Sequence, residues 1–407
     1  MGDSDLAGFR QYFFDIIPKT AAACDPDRPY WPGSPHHPLD RERKSPDYES
    51  ASGDAHLWDV WHGGEPFSWY VKNVNFRFVS EFGFQSLPHM ETIRSFTAPE
   101  DCYFISPVLD HHNLAGKKSQ GNENIGNIRI ATYVATNFKM PNSFENWVYV
   151  SQVMHGEGMK MACEAYRHNF PRTTGALYWQ LNDNWPTISG SSIDYYGRWK
   201  ALQYMTRHFF SLVLITGWAE GTKVKIWGVN DRIEDTPAKL KWTLAGFDGT
   251  IIKTEEMDVV LPSNSSSLLL DMDFHDQVGE NPEFITYRKD SYENRRKYYL
   301  CYQLAQGEKV LSSNVSFFVP QKYLALEEPN LKYDLLNCDG QWHIAITCER
   351  FAAYVELGLK NGYARFSDNY FHLLPGESKE ITIIESEIPA EEIQNQFYAK
   401  SLIDSYR

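Results

Sequence analysis

Hydrophobic and polar positions divide the chain into two textures. Up to about residue 210, helical stripes alternate with short apolar runs that end in polar and aromatic residues. Residues 5–17 carry Leu6, Phe9, Phe13, Ile16 and Ile17 at the spacing of a helix face, which Pro18 is expected to close. Arg28 to His37 predicts an extended piece running into a Pro/Gly loop. A polar stretch follows to Gly53, and Ala55 to Gly64 predicts a short strand ending in aromatics, His and Gly. Phe76 to Ser86 predicts a third strand, aromatic and β-branched, ending on the lone carboxylate of Glu81, with Gly83 permitting a tight exit. Residues 101–128 are expected as a loop. A long helix is predicted over 143–169 from Phe144, Trp147, Val150, Met154, Met161 and Ala165, with Gly158 where the stripe lacks a side chain. Thr174 to Pro186 predicts a fourth strand, and Trp199 to Phe210 a closing helix.

Four strands, each followed by a helical pattern or a long connection, predict half of a (β/α)8 TIM barrel. From Ser211 strand-like runs recur at short spacing: Lys223–Val229, Lys239–Leu244, Ile251–Glu256, Ser267–Met272, Lys297–Leu304 and Val310–Val319. With the Asp248-Gly249 turn signal they predict a β-sandwich, interrupted by a charged insertion around 274–296. After Pro320, runs at Lys332–Leu336, Trp342–Cys348, Ala353–Leu359, Tyr370–Leu374 and Lys379–Ile384 predict a smaller β domain. The expected class is α/β followed by all-β, with domains at 1–210, 211–320 and 321–407.

Composition narrows the function. At 407 residues, 42% apolar and 23% charged, the chain has the make-up of a soluble protein with room for several domains. With 39 basic against 53 acidic residues the net charge is −14, which argues against nucleic acid or an anionic membrane as partner. No apolar run approaches the roughly 20 residues of a membrane span, and no signal-peptide core follows Met1. The opening helix lacks the strand it should cover, so a truncated start is expected; the compartment and the oligomeric state stay open. Six cysteines show no C-x-x-C and no zinc spacing. Cys338 and Cys348 flank an expected hairpin and are within reach of pairing in sequence, but free thiols are the expectation. An aromatic content of 15% with 12 Trp suits sugar stacking, and also suits a large β-rich core.

The candidate chemistry gathers at strand ends. A carboxylate at the C-terminal end of a barrel strand, between aromatic neighbours, suits a glycosidase nucleophile, and Glu81 has that place; the alternative is a strand-end Glu pointing into water. Trp179 and Trp185 bracket Asn182 and Asp183, a set able to stack on a sugar and take its hydroxyls, or else a core Trp and a turn. Trp31 and His36-His37 stand at the first strand end, and His56, Trp58, Trp61 and His62 along the second. No third ligand accompanies these histidines at metal spacing, so hydrogen bonding to a sugar or to Glu81 is expected, with no metal and no cofactor. His111-His112, His155 and Glu157 are assigned no chemistry. Asn264-Ser265-Ser266 and Asn314-Val315-Ser316 match the weak glycosylation pattern.

Ser80-Glu81-Phe82-Gly83-Phe84-Gln85-Ser86 and Gly175-Ala176-Leu177-Tyr178-Trp179-Gln180-Leu181-Asn182-Asp183 together closely resemble the β-mannosidases of glycoside hydrolase family 2. The resemblance runs from about residue 5 to the C-terminus. It implies that Glu81 is the nucleophile on the seventh barrel strand, that Trp179 lies in the −1 subsite beside the eighth, and that the two trailing domains are immunoglobulin-like. It further implies retaining hydrolysis of terminal, non-reducing β-mannose from an oligosaccharide. The family's N-terminal domains and first four barrel strands have no counterpart here. Its acid/base Glu lies in an Asn-Glu pair ending strand four; Asn122-Glu123 comes after Glu81 with no apolar strand leading into it and is expected to be a decoy. The alternatives are another family 2 sugar specificity, of galactosidase or glucuronidase type, and a non-catalytic carbohydrate-binding protein.

Overall fold

The computed structural model describes residues 3–36, 52–115, 125–279 and 292–407. His37, Asn122, Glu123 and most of the charged insertion lie outside the described residues. Strands predominate, and helices are few. Among the described residues no helix is long and apolar enough to cross a membrane.

The first texture is built around one helix. It spans Phe144–His168, starting where the Ser143 hydroxyl accepts a hydrogen bond from the Asn146 backbone N–H at 3.2 Å. Val148 to Tyr166 along it are almost continuously buried, so it is a core helix with partners on most sides. A Cβ on Gly158 would stand 2.3 Å from the Phe84 ring and 3.0 Å from Phe67. The gap in its apolar stripe is therefore where two aromatic rings press against the helix backbone. Two short parallel strands lie against this core, β1 (Asp54–Leu57) and β2 (Phe78–Phe82). A third extended segment continues the order: Val79 N–H bonds to Gly175 O, Leu177 N–H to Val79 O and Trp179 N–H to Phe82 O. The expected fourth strand thus pairs along β2 but forms only isolated bridges, and Leu177, Trp179 and Leu181 stay exposed along it.

Two further expectations are corrected. Pro18 does not end the first helix. Asp3–Gln11 passes through a π-turn, Tyr12–Ile16, into a helix over Ile17–Cys24. Ile17 N–H bonds to Tyr12 O, and that wider register places Pro18 in a new first turn, where its missing N–H costs nothing. Residues 101–128 are not one loop either: a helix at Pro107–His111 precedes a second at Gly126–Asn137, which buries Ile130, Tyr133 and Val134.

The second texture forms two β-sandwiches. In the first, β3 (Val213–Glu220), β4 (Lys223–Asn230) and β7 (Ser265–Asp273) form one sheet in the order β3-β4-β7. The facing sheet, in the order β6-β5-β8-β9, is formed by β5 (Thr236–Gly246), β6 (Ile251–Leu261), β8 (Tyr298–Gln306) and β9 (Lys309–Phe317). The second sandwich packs Lys332–Cys338, Gln341–Thr347, Ser378–Ser386 and Ala364–Phe366 against Phe371–Leu373, Ala352–Leu359 and Phe397–Lys400. Alternating burial along Thr236–Gly246 shows the period-two pattern of such sheets. All six cysteines are free, and Cys348 Sγ is engaged by the carbonyls of Leu373 and Leu374.

Candidate active site

The site begins with a fault in a strand. β1 and β2 pair as Asp54 with Phe78 and Ala55 with Val79, then the register slips so that His56 meets Glu81 and Leu57 meets Phe82. Ser80 is the extra residue. In a regular strand Ser80 and Glu81 would point to opposite faces; the bulge leaves both partly exposed between the fully buried Val79 and Phe82. Glu81 Oε2 lies 3.2 Å from His56 Nδ1 and accepts a hydrogen bond from Trp58 Nε1–H at 3.3 Å. The side chain keeps 27% of its surface open, enough for a ligand to reach it. The contact expected between a strand-end histidine and Glu81 is made by His56.

Beside this pair lies a residue that sequence inspection passed over. Asp54, one position before the expected strand, is buried and accepts four hydrogen bonds. Ser34 Oγ and Ser80 Oγ donate to its Oδ2, each at 2.5 Å, while Trp31 Nε1–H (3.1 Å) and His36 N–H (2.8 Å) donate to Oδ1. Burial pushes its carboxyl upward, but these donors outweigh that and hold it down at about 2. A group so held stays ionised and cannot pass a proton to a leaving group. An acidic residue heading an apolar run was the only signal available for it.

Trp179 stands beside the Glu81 strand. Its N–H bonds to Phe82 O at 2.8 Å, and a Cβ on Gly83 would stand 2.5 Å from its carbonyl oxygen, so residue 83 must be glycine for the segments to approach. Its indole is half exposed, as is that of Trp31, which meets His36 edge-on at 5.0 Å. Asn182 is exposed on the same segment.

Four candidates have other partners. Trp61 is in the core, stacked at 6.4 Å on Tyr133 with Arg129 over its ring, because the chain after β1 turns back helically, His62 N–H bonding to Trp58 O, and carries Val60 and Trp61 inward. His62 Nδ1 lies 3.0 Å from Arg129 Nη1; burial and that positive charge lower its pKa, leaving a neutral ring to accept. Asp183 is buried and takes hydrogen bonds from Ser189 Oγ at 2.6 Å, Ser191 Oγ at 2.7 Å and Gln180 Nε2 at 3.1 Å, so it ties its own loop together. Trp185 stacks on His112 at 4.7 Å. Among the described residues no group of three His, Cys, Asp or Glu side chains could hold a metal ion.

Comparison with known proteins gives this geometry a context. A mannosidase Ig/CBM-like domain model matches residues 222–323 and an Ig-fold domain model matches 326–405, so both sandwiches are immunoglobulin-like. Beta-mannosidase B of Aspergillus terreus is 27% identical over 396 residues, which cover 92% of this chain and 44% of that protein. The Aspergillus niger enzyme of the same name is 27% identical over 397 residues, with the same coverage. The crystal structure of the beta-D-mannosidase from Dictyoglomus thermophilum superposes with a TM-score of 0.81 at 29% identity, over 96% of this chain and 44% of that one. The chain is thus similar to β-mannosidases over most of its length. The resemblance carried by the Ser80–Ser86 and Gly175–Asp183 motifs is thereby borne out. An exo-chitosanase from Amycolatopsis orientalis, with a TM-score of 0.60 at 14% identity, shares the fold alone. The chain spans less than half the length of the curated relatives it matches.

Proposed function

We propose that this chain carries the nucleophile-bearing part of a retaining β-mannosidase that removes terminal, non-reducing β-mannose from oligosaccharides. The observation that carries the proposal is Glu81, aimed by a strand bulge and held on one carboxylate oxygen by Trp58 and His56, in a chain that aligns with β-mannosidases over 92% of its length. In this proposal Glu81 attacks the anomeric carbon, forming a glycosyl ester as the aglycone leaves, and water then hydrolyses the ester with overall retention. Trp179 supplies the aromatic platform of the −1 subsite; Trp31, His36, Trp58 and Asn182 line its approaches.

The extended segment at 28–36, β1, β2 and the segment from Thr174 are read as barrel strands five to eight, with Phe144–His168 as the crossover between the last two. The division into a half-barrel over 1–210 and immunoglobulin-like domains over 211–320 and 321–407 goes with that reading. Retaining chemistry needs a second carboxyl about 5–5.5 Å from the nucleophile. Asp54 is too strongly held in its ionised form to serve. The acid/base is therefore assigned to the part of the barrel that the longer relatives possess.

A 2-deoxy-2-fluoro-β-mannosyl fluoride tests the assignment, since fluoride departs with little help from an acid. Intact mass followed by peptide mapping is expected to show one adduct on Glu81, absent from Glu81→Gln. Folded protein without an adduct would sink the mannose assignment and favour another sugar or a binding role.

A further inference from the structure

The Ser34 hydroxyl has three partners, Asp54 Oδ2 at 2.5 Å, His56 Nε2 at 2.8 Å and, at 3.2 Å, the Ser80 hydroxyl, which itself donates to Asp54. A hydroxyl has a single proton to give. Asp54 is ionised and can only accept, so the Ser34 proton points to Asp54. The contact with His56 must then be a donation from Nε2–H into a Ser34 lone pair. The other ring nitrogen, Nδ1, faces Glu81 Oε2 at 3.2 Å. A bare Nδ1 would set a lone pair against a carboxylate, whereas Nδ1–H makes a charge-assisted hydrogen bond.

We propose that His56 is a positioning residue, protonated on both nitrogens, which links Glu81 through Ser34 to the fixed charge of Asp54. This rests on Glu81 being the nucleophile. The ring meets Ser34 of the 28–36 segment and Glu81 of β2; Ser34 in turn meets Asp54 of β1 and Ser80 of β2, Glu81 meets Trp58 of the turn after β1, and Trp31 meets Asp54. Both described contacts of the Glu81 carboxylate, from His56 and Trp58, fall on Oε2, so Oε1 is the oxygen offered to the sugar. In the first step Oε1 bonds to the anomeric carbon, the bond to the leaving group breaks with its electron pair, and the His56 proton stays on Nδ1. The carboxylate is thus fixed in one rotamer before substrate arrives, which lowers the orientation cost of attack.

Nitrogen–proton spectra of the histidines in the full chain, with His56 assigned through His56→Gln, read the ring protons directly. Both nitrogens are expected to carry protons. Glu81→Gln should remove the Nδ1 proton and spare Nε2–H, and Asp54→Asn should release Nε2–H. A ring with a bare Nδ1, or one that Glu81→Gln leaves unchanged, overturns the proposal. The fluoro-sugar supplies a second measurement: His56→Phe should slow adduct formation roughly tenfold or more, and His56→Gln, which retains an N–H donor, should recover part of the loss. Equal rates in all three proteins would also overturn it. A doubly protonated ring with no adduct in the wild-type chain would leave the His56 contacts standing and sink the mannose assignment instead.

Discussion

The region that holds Glu81 and the two sandwiches behind it solve the same problem differently. In the first sandwich the central strand β5 is bonded along most of its length by β6 on one side and β8 on the other, and the sheets enclose a core of their own. Among its described residues the N-terminal region has two paired strands, of four and five residues. Its core is centred on the Phe144–His168 helix and runs on without a break into Phe247, Tyr299, Phe351, Tyr354 and Tyr370 of the β units. Meanwhile Phe9, Tyr12, Phe14 and Ile16 of the opening helices, and Leu177, Trp179 and Leu181 beside the site, are exposed. The sandwiches close themselves, whereas the site region draws its rigidity from a helix clamped against them. The candidate site thus lies where regular backbone bonding is sparse among the described residues, and the scaffold holding it is long-range packing.

Phe351 is the sharpest place to break that arrangement. It is fully buried, with its ring 4.4 Å from Tyr299, 5.3 Å from Phe247 and 5.4 Å from His372. Phe351→Ala should cost about 3–5 kcal/mol, and the cost should fall unevenly. Hydrogen exchange should show the Val79 and Trp179 amides losing protection while amides along β5 keep theirs. Equal losses would mean that the two regions form one cooperative unit, with no difference in how they are held.

The same junction predicts a dependence on pH. Burial first, and the Lys160 charge after it, push His372 down to about 3. The folded state therefore keeps this ring neutral where the unfolded chain, with an ordinary histidine near 6.5, takes up a proton. Stability should be unaffected by His372 above about pH 6.5 and should fall below it by about 1.4 kcal/mol per pH unit until the folded ring titrates. His372→Gln should flatten that slope in denaturant titrations between pH 6.5 and 4.5, and an unchanged slope would remove His372 as its source.

What could be read from the sequence follows the same divide. Antiparallel strands with one wet face announce themselves by alternation, so Lys223–Val229 and Lys239–Leu244 were expected close to where β4 and β5 lie. The preceding strand, β3, was missed; Val213 to Ile215 is buried throughout and shows no alternation. The long helix was legible from its length. Gly126–Asn137 was not, since its buried positions are few and it follows a polar stretch. Glu81 stood out as the end of an apolar run, yet its orientation comes from the bulge at Ser80, a register fault that one strand alone cannot reveal. Asp54 escaped for a related reason: its four donors come from residues 31 to 80, and only the fold brings them together. Trp61 was misplaced because a strand-end aromatic and a core aromatic have the same composition.

The smallest expected effect probes how closely the helix presses on the site strand. At Gly158 a Cβ would overlap Phe84 Cζ at 2.3 Å and touch Phe67 at 3.0 Å, and those two rings stack 5.0 Å apart. Alanine favours a helix over glycine by about 1 kcal/mol, which would stabilise the protein if the rings could move aside. Phe84 is 1% exposed and lies two residues beyond the end of β2, so it has little room to yield. Overpacking of this kind costs about 1–3 kcal/mol, and the net loss for Gly158→Ala should be about 1 kcal/mol. The more telling readout is local: displacing Phe84 pulls on the strand that carries Glu81, so fluoro-sugar labelling should slow by more than the loss of folded protein explains. A variant as stable as wild type and labelled at the same rate would show that the helix and the site strand are not tightly packed, and that the rigidity of the site comes from the hydrogen bonds around Asp54 instead.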